Sequence, residues 1–76
     1  MSEKHIVAIN TEFIKLDSFL KFCGVAETGG HAKEIITLEQ VVYVNSELCT
    51  QRGKKLYDGD TVKIDDLIFE VRKGEN

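Results

Sequence analysis

The chain has 76 residues, 42% hydrophobic and 30% charged, with a formal net charge of -3 and a pI near 5.3. That length holds one small core with little surplus stability to support a deep catalytic pocket, and the patterned apolar runs exclude a disordered chain. The acidic average excludes a uniformly basic surface, but the charges segregate: residues 15–55 carry six basic side chains (Lys15, Lys21, Lys33, Arg52, Lys54, Lys55) against five acidic ones, and the rest of the chain carries four against eight, so the middle can still present a basic face.

In chain order, MSEK precedes HIVAIN (residues 5–10), a β-branched stretch that reads as a strand. Next, Leu16, Phe19, Leu20 and Cys23 stand at i, i+3, i+4 and i+7, one face of a helix. Asp17 suits its start, Gly24 its stop, and Lys15 and Lys21 fall on its more exposed sides. TGGHAKEIITL begins a second helix, with Thr28 as N-cap and Ala32, Ile35 and Ile36 as its apolar stripe. Only a few residues join the two, which predicts a helical hairpin.

After Glu39 the period changes from that of a helix to that of a strand. Val42 and Val44 share one face and Tyr43 takes the other, before a tight turn at Asn45–Ser46. RGKKLY reads as a polar basic loop, and Asp58-Gly59-Asp60 as a turn. A strand follows with Val62 and Ile64 opposite Lys63, then a turn at Asp65–Asp66, then a last strand with Leu67, Phe69 and Val71 on one face. This order predicts an α+β domain in which the helical hairpin packs against a small, mostly antiparallel sheet. There is no proline, repeat or internal linker, so residues 1–76 read as a single domain.

Chemistry-bearing motifs are few. No Walker or dinucleotide-binding glycine pattern is present. Cys23 and Cys49 have no metal-ligand spacing, neither His5 nor His31 completes one, and the two read as packing thiols. Asp58 and Asp60 lack the further oxygen ligands of a calcium loop. No nucleophile stands beside a base, so the chain reads as noncatalytic, with no cofactor. MSEKHIVAIN has no signal-peptide pattern and no apolar run nears membrane-spanning length; a reducing cytoplasm is the expected location. Two stretches remain. Gly29 and Gly30 in a first helical turn leave backbone N–H groups uncovered, which attract an anion, with His31 and Lys33 in the same turn; the plainer alternative is that the glycines only let two helices join closely. Arg52, Lys54 and Lys55 form a basic cluster, which by itself is a solvated face. Tyr57 beside it reads as a packing residue next to Leu56, with base stacking the second reading.

Taken together these segments resemble the S4 RNA-binding domain family. Lys15-Leu16-Asp17 stands at the family's arginine-leucine-aspartate, Gly24 at its glycine and Thr28 at its serine. Ala32 and Ile35-Ile36 follow, then Val42-x-Val44-Asn45 and Gly59-Asp60-x-Val62. The likeness covers about residues 13 to 64. Within the family it is nearest to the free-standing bacterial proteins of the YaaA/YbcJ type, through GG-x-AK and RGKKLYxGDxV. The resemblance implies a bacterial, cytoplasmic protein that contacts structured RNA, ribosomal or transfer, through the helical hairpin and the adjoining loop. Lys15, Lys21, Gly29, Gly30, His31, Lys33, Arg52, Lys54 and Lys55 are the positions it implicates. A monomer is favoured and a protein partner is possible. The chain departs from the pattern in four places: Gly29 stands where a basic residue is usual, Lys15 replaces an arginine, Ser46 replaces a glycine, and the interval from Ala32 to the valine strand is one residue longer. The amides of Gly29 and Gly30 with Lys33 would compensate for the missing arginine. These departures and the negative charge favour the alternative function, an S4-shaped protein-interaction module with weak or no RNA affinity.

Overall fold

The computed structural model describes residues 3–74. Strand β1 (Glu3–Ile9) leads through a bend to a two-residue strand β2 (Ile14–Lys15), which runs straight into helix α1 (Leu16–Phe22). Helix α2 (Gly29–Glu34) continues into a π-helical segment (Ile35–Glu39). Five strands follow: β3 (Val42–Val44), β4 (Glu47–Leu48), β5 (Lys55–Leu56), β6 (Thr61–Ile64) and β7 (Leu67–Lys73). The main sheet has the order β1-β7-β6-β3-β4, and β2 pairs with β5 in a separate antiparallel ladder. All pairs are antiparallel except β1 with β7, which run side by side from Glu3↔Leu67 to Ile9↔Lys73. This is the expected α+β architecture, a helical pair on a mostly antiparallel sheet.

Local chemistry accounts for the helix ends. The Thr28 side chain accepts the His31 N–H at 3.0 Å and starts α2. Gly24, at φ +81, ends α1. Its N–H bonds Lys21 O at 3.1 Å and the Val25 N–H bonds Leu20 O at 3.0 Å, which together form a Schellman cap. The reversal brings α2 back against α1. Leu16, Phe19 and Leu20 of α1 and Ala32, Ile35 and Ile36 of the second helical stretch are buried with Val42, Val44, Leu56, Val62, Ile64, Phe69 and Val71. The rings of Phe19 and Phe69 meet edge to face with centroids 6.1 Å apart, a favoured aromatic geometry.

Three features differ from the sequence reading. The second helix is not α-helical throughout. A π-helical turn holds one residue more than an α turn, and it lies in the interval that is one residue longer than the S4 pattern. Gln40, in the left-handed region at φ 53, closes it. Second, RGKKLY is not all loop, because Lys55 and Leu56 form β5. Third, Tyr57 does not pack away beside Leu56: Leu56 is fully buried and Tyr57 is 46% exposed.

The turns match their chemistry. Asp60 accepts the Tyr57 N–H at 2.8 Å, and Asp58 accepts the Lys73 N–H at 2.8 Å, so both carboxylates serve the turn and the neighbouring strand end. The Asn45 side chain donates to Asp60 at 3.1 Å and accepts the Thr61 N–H at 3.0 Å, tying the β3–β4 turn to the start of β6.

Candidate nucleic-acid interface

The candidate site is built around the N-terminal end of α1. The ladder sets Lys15 directly opposite Lys55. The first helical amides reach back to the basic loop: Leu16 N–H donates to Lys54 O at 2.8 Å and Asp17 N–H to Arg52 O at 3.0 Å. Those bonds satisfy two orphan donors of the helix and fix the backbone that carries Arg52 and Lys54. Lys15, Arg52, Lys54 and Lys55 are thereby gathered at one place, and all four are exposed. Next to Lys54, an open cleft of about 270 Å³ lies between the β3–β4 hairpin and residues 49–54, lined by Asn45, Glu47, Thr50 and Gln51 among others.

The other expected residues stand elsewhere on the helical pair. Lys21 is exposed in the last turn of α1, where it borders a shallow depression with Ile14, Ser18 and Phe22. Lys33 is exposed in α2. His31 is engaged in its own turn, since Nδ1 accepts the Glu27 N–H at 3.3 Å; an accepting Nδ1 puts the ring proton of the neutral imidazole on Nε2. Gly29 and Gly30 have ordinary negative φ. A Cβ on Gly29 would meet nothing within 4 Å, and one on Gly30 only Thr28 Oγ1 at 3.9 Å. Close helix joining therefore does not require these glycines. They occupy the first two positions of α2, whose N–H groups have no intrahelical acceptor.

Charge pairing separates three of the basic residues from the rest. Lys4 and Arg72 both pair with the buried carboxylate of Glu70, and Lys73 pairs with Glu12 at 3.0 Å. The hydrogen bond from Lys4, helped by Arg72, holds the Glu70 carboxyl below the usual range against the opposing effect of burial. Among the described residues, no ion pair involves Lys15, Lys21, Lys33, Arg52, Lys54 or Lys55. Glu70 and Glu12 thus neutralise Lys4, Arg72 and Lys73, while the six central cations, and Lys63 on β6, have no acidic partner among the described residues.

Two aromatic residues join the site. Phe13 and Tyr57 have ring centroids 5.9 Å apart, and the Lys55 ammonium lies 4.9 Å from the Phe13 centroid. Phe13 escaped the sequence reading. The signal was there as two short alternations, Phe13-x-Lys15 and Lys55-x-Tyr57, each placing an aromatic and a lysine on one strand face. It had no meaning until both segments were known to be strands.

Among the described residues no group of His, Cys, Asp and Glu is arranged to hold a metal ion. Burial pushes the half-buried Cys23 thiol up to about 11, which keeps it protonated at neutral pH. Cys49 directs its Sγ to Gln51 O at 3.7 Å. No described helix is long and apolar enough to cross a membrane.

A helical pair on a mostly antiparallel sheet, with unpaired cations where a short ladder enters the first helix, defines a small α+β domain with a cationic face. The S4 domain family model matches residues 7–72, so the chain belongs to the S4 domain family. The match extends past residues 13 to 64 and takes in the end of β1 and most of β7. The chain is also 46% identical over 59 residues to the "Probable ribosome maturation protein RlbA" of Bacillus subtilis (strain 168), an alignment spanning 78% of this chain and 82% of the relative.

Proposed function

We propose that this protein is a noncatalytic, cytoplasmic RNA-binding protein that holds structured RNA through the cationic surface of the helical pair and the adjoining loop. Ribosomal RNA is the first target to consider, because the Bacillus subtilis relative carries a ribosome maturation name. The observation that carries the reading is the charge pairing. Lys15, Arg52, Lys54 and Lys55 are exposed and free of ion pairs around the start of α1, while Lys4, Arg72 and Lys73 are paired with acids. Such cations neutralise phosphates; they fix position without reading sequence. Structured RNA is then selected by shape, with phosphates and sugars as handles. Gly29 and Gly30 allow a backbone phosphate to approach the first amides of α2, with Lys33 one turn on.

The test is binding to purified ribosomal particles and to total bacterial RNA across a salt series. If four phosphates are neutralised, log K falls with log salt with a slope of roughly -3 to -4, the steeper value for duplex segments. A Lys33→Glu/Arg52→Glu/Lys54→Glu/Lys55→Glu variant that keeps its fold is expected to lose this binding. Absence of salt-sensitive binding by the wild-type protein would reject the proposal. A second reading, an S4-shaped protein-interaction module, is favoured by the exposed Phe22 and Leu38, 62% and 75% accessible. It predicts capture of ribosomal protein rather than RNA, insensitive to the same charge reversals.

A further inference from the structure

We infer that Phe13 and Tyr57, flanked by Lys15 and Lys55, form a stacking platform for an unpaired nucleobase at the edge of the cationic surface. The inference rests on the RNA reading above and assigns it a ligand element, a single-stranded nucleotide, that a phosphate-only surface would not select. The β2–β5 register pairs Ile14 with Leu56 and Lys15 with Lys55. Continued by one pair it sets Phe13 opposite Tyr57, and their rings do meet, 5.9 Å apart and tilted by 45°. Side chains alternate along strands, so Phe13, Lys15, Lys55 and Tyr57 share the ladder face opposite to that of Leu56, which is fully buried. Two aromatic rings and two ammonium groups therefore make one small outward patch.

Its internal arrangement leaves one ring available. Lys55 lies over the Phe13 ring at 4.9 Å, and Phe13 is half-buried. Tyr57 is 46% exposed, so one face of its ring is open to a ligand. The backbone beneath it is fixed, since the Tyr57 N–H donates to Asp60 Oδ2 at 2.8 Å and the Asp60 N–H returns to Tyr57 O at 3.0 Å. With its backbone fixed and its ring against Phe13, Tyr57 has less freedom to lose on stacking. A nucleotide combines the two complementary features required, a flat π surface for Tyr57 and an anionic phosphate for Lys15 and Lys55. Stacking tolerates any base, so the platform favours unpaired over paired RNA without demanding a sequence.

The experiment compares wild type, Tyr57→Phe, Tyr57→Leu and Tyr57→Ala for binding a single-stranded RNA oligomer carrying 2-aminopurine and a loop-free, fully paired RNA duplex of equal charge. Leucine keeps an apolar contact with Phe13 but has no π face, so the series holds even if alanine perturbs the fold. Wild type and Tyr57→Phe are expected to quench the 2-aminopurine fluorescence. Tyr57→Leu and Tyr57→Ala are expected to lose roughly tenfold affinity for the single strand, with the salt slope and the duplex affinity unchanged. Equal single-strand affinity in wild type and Tyr57→Leu would overturn the platform and leave the RNA reading standing. Failure of the wild-type protein to bind either RNA at low salt would overturn both.

Discussion

Lys15 and Lys55 face each other directly across the β2–β5 ladder, two like charges in register with no acid between them. Opposed like charges on adjacent strands destabilise a ladder. Lys55 finds partial relief over the Phe13 ring, and under the RNA reading proposed above an anionic partner would relieve the rest. The expectation is a trade-off. Lys15→Glu should raise stability by roughly 0.5 kcal/mol, since it converts repulsion to attraction and puts an acid at the start of α1. The same variant should bind RNA more weakly and with a shallower salt slope. Urea unfolding and RNA titration on one preparation check both; a variant that loses stability would contradict the electrostatic account.

Gly29 tests whether a phosphate approaches the backbone of α2. Space is open around its Cβ position and its φ is ordinary, so Gly29→Ala should stabilise the helix start by roughly 0.5 kcal/mol while reducing RNA affinity if close approach matters. Gly29→Arg restores the basic residue usual in S4 domains. It should fold normally, bind RNA more tightly and steepen the salt slope by about one contact, roughly 0.7 to 0.9. Melting curves with salt-dependent titrations of the two variants decide the matter.

The β3–β4 turn carries removable strain. Asn45 and Ser46 both have positive φ, at 51 and 73, as a two-residue hairpin turn of this kind requires. Asparagine tolerates that region and is held by Asp60 and Thr61; serine does so less well. Ser46→Gly should shift the urea midpoint to a stability about 1 kcal/mol higher with an unchanged m-value. No gain would show that the Ser46 conformation is already compensated.

Acid should weaken the main sheet at one identifiable place. The Glu70 carboxyl is held low by Lys4, with Arg72 assisting. Its folded pKa is below the unfolded value, so the ion pairs contribute stability above the ordinary glutamate value of about 4.5 and lose it as pH falls through the lower folded value. Glu70→Gln should therefore be less stable than wild type at pH 7, with a shallower stability decline below that value. Denaturation between pH 7 and pH 3 measures the difference; parallel curves for the two proteins would refute it.

Cys23 should be a slow thiol. With its pKa pushed up to about 11 from an ordinary 9.0, a Cys49→Ser protein should react with iodoacetamide at pH 8 roughly a hundredfold more slowly than an unstructured cysteine peptide. Alkylation followed by mass gives the rate directly, and a rate equal to the peptide's would remove the burial argument.

The sequence by itself determined the features that depend on neighbours within a turn or two. The stripe of Leu16, Phe19 and Leu20 gave α1, Thr28 and Gly24 marked helix ends, and Asp58-Gly59-Asp60 made its turn, because caps, periods and turn hydrogen bonds are short-range physics. The order of elements and the spaced motifs sufficed for the S4 resemblance. Tertiary structure alone decided which distant segments meet. Parallel pairing of β1 with β7 and the Lys15–Lys55 register join residues from opposite parts of the chain. No local period encodes such pairing, since it follows from burying Leu56 and the sheet's inner face around α1. That packing turned an apparent loop into β5, exposed Tyr57 beside Phe13, and left the central cations unpaired while Glu70 and Glu12 took those at the ends.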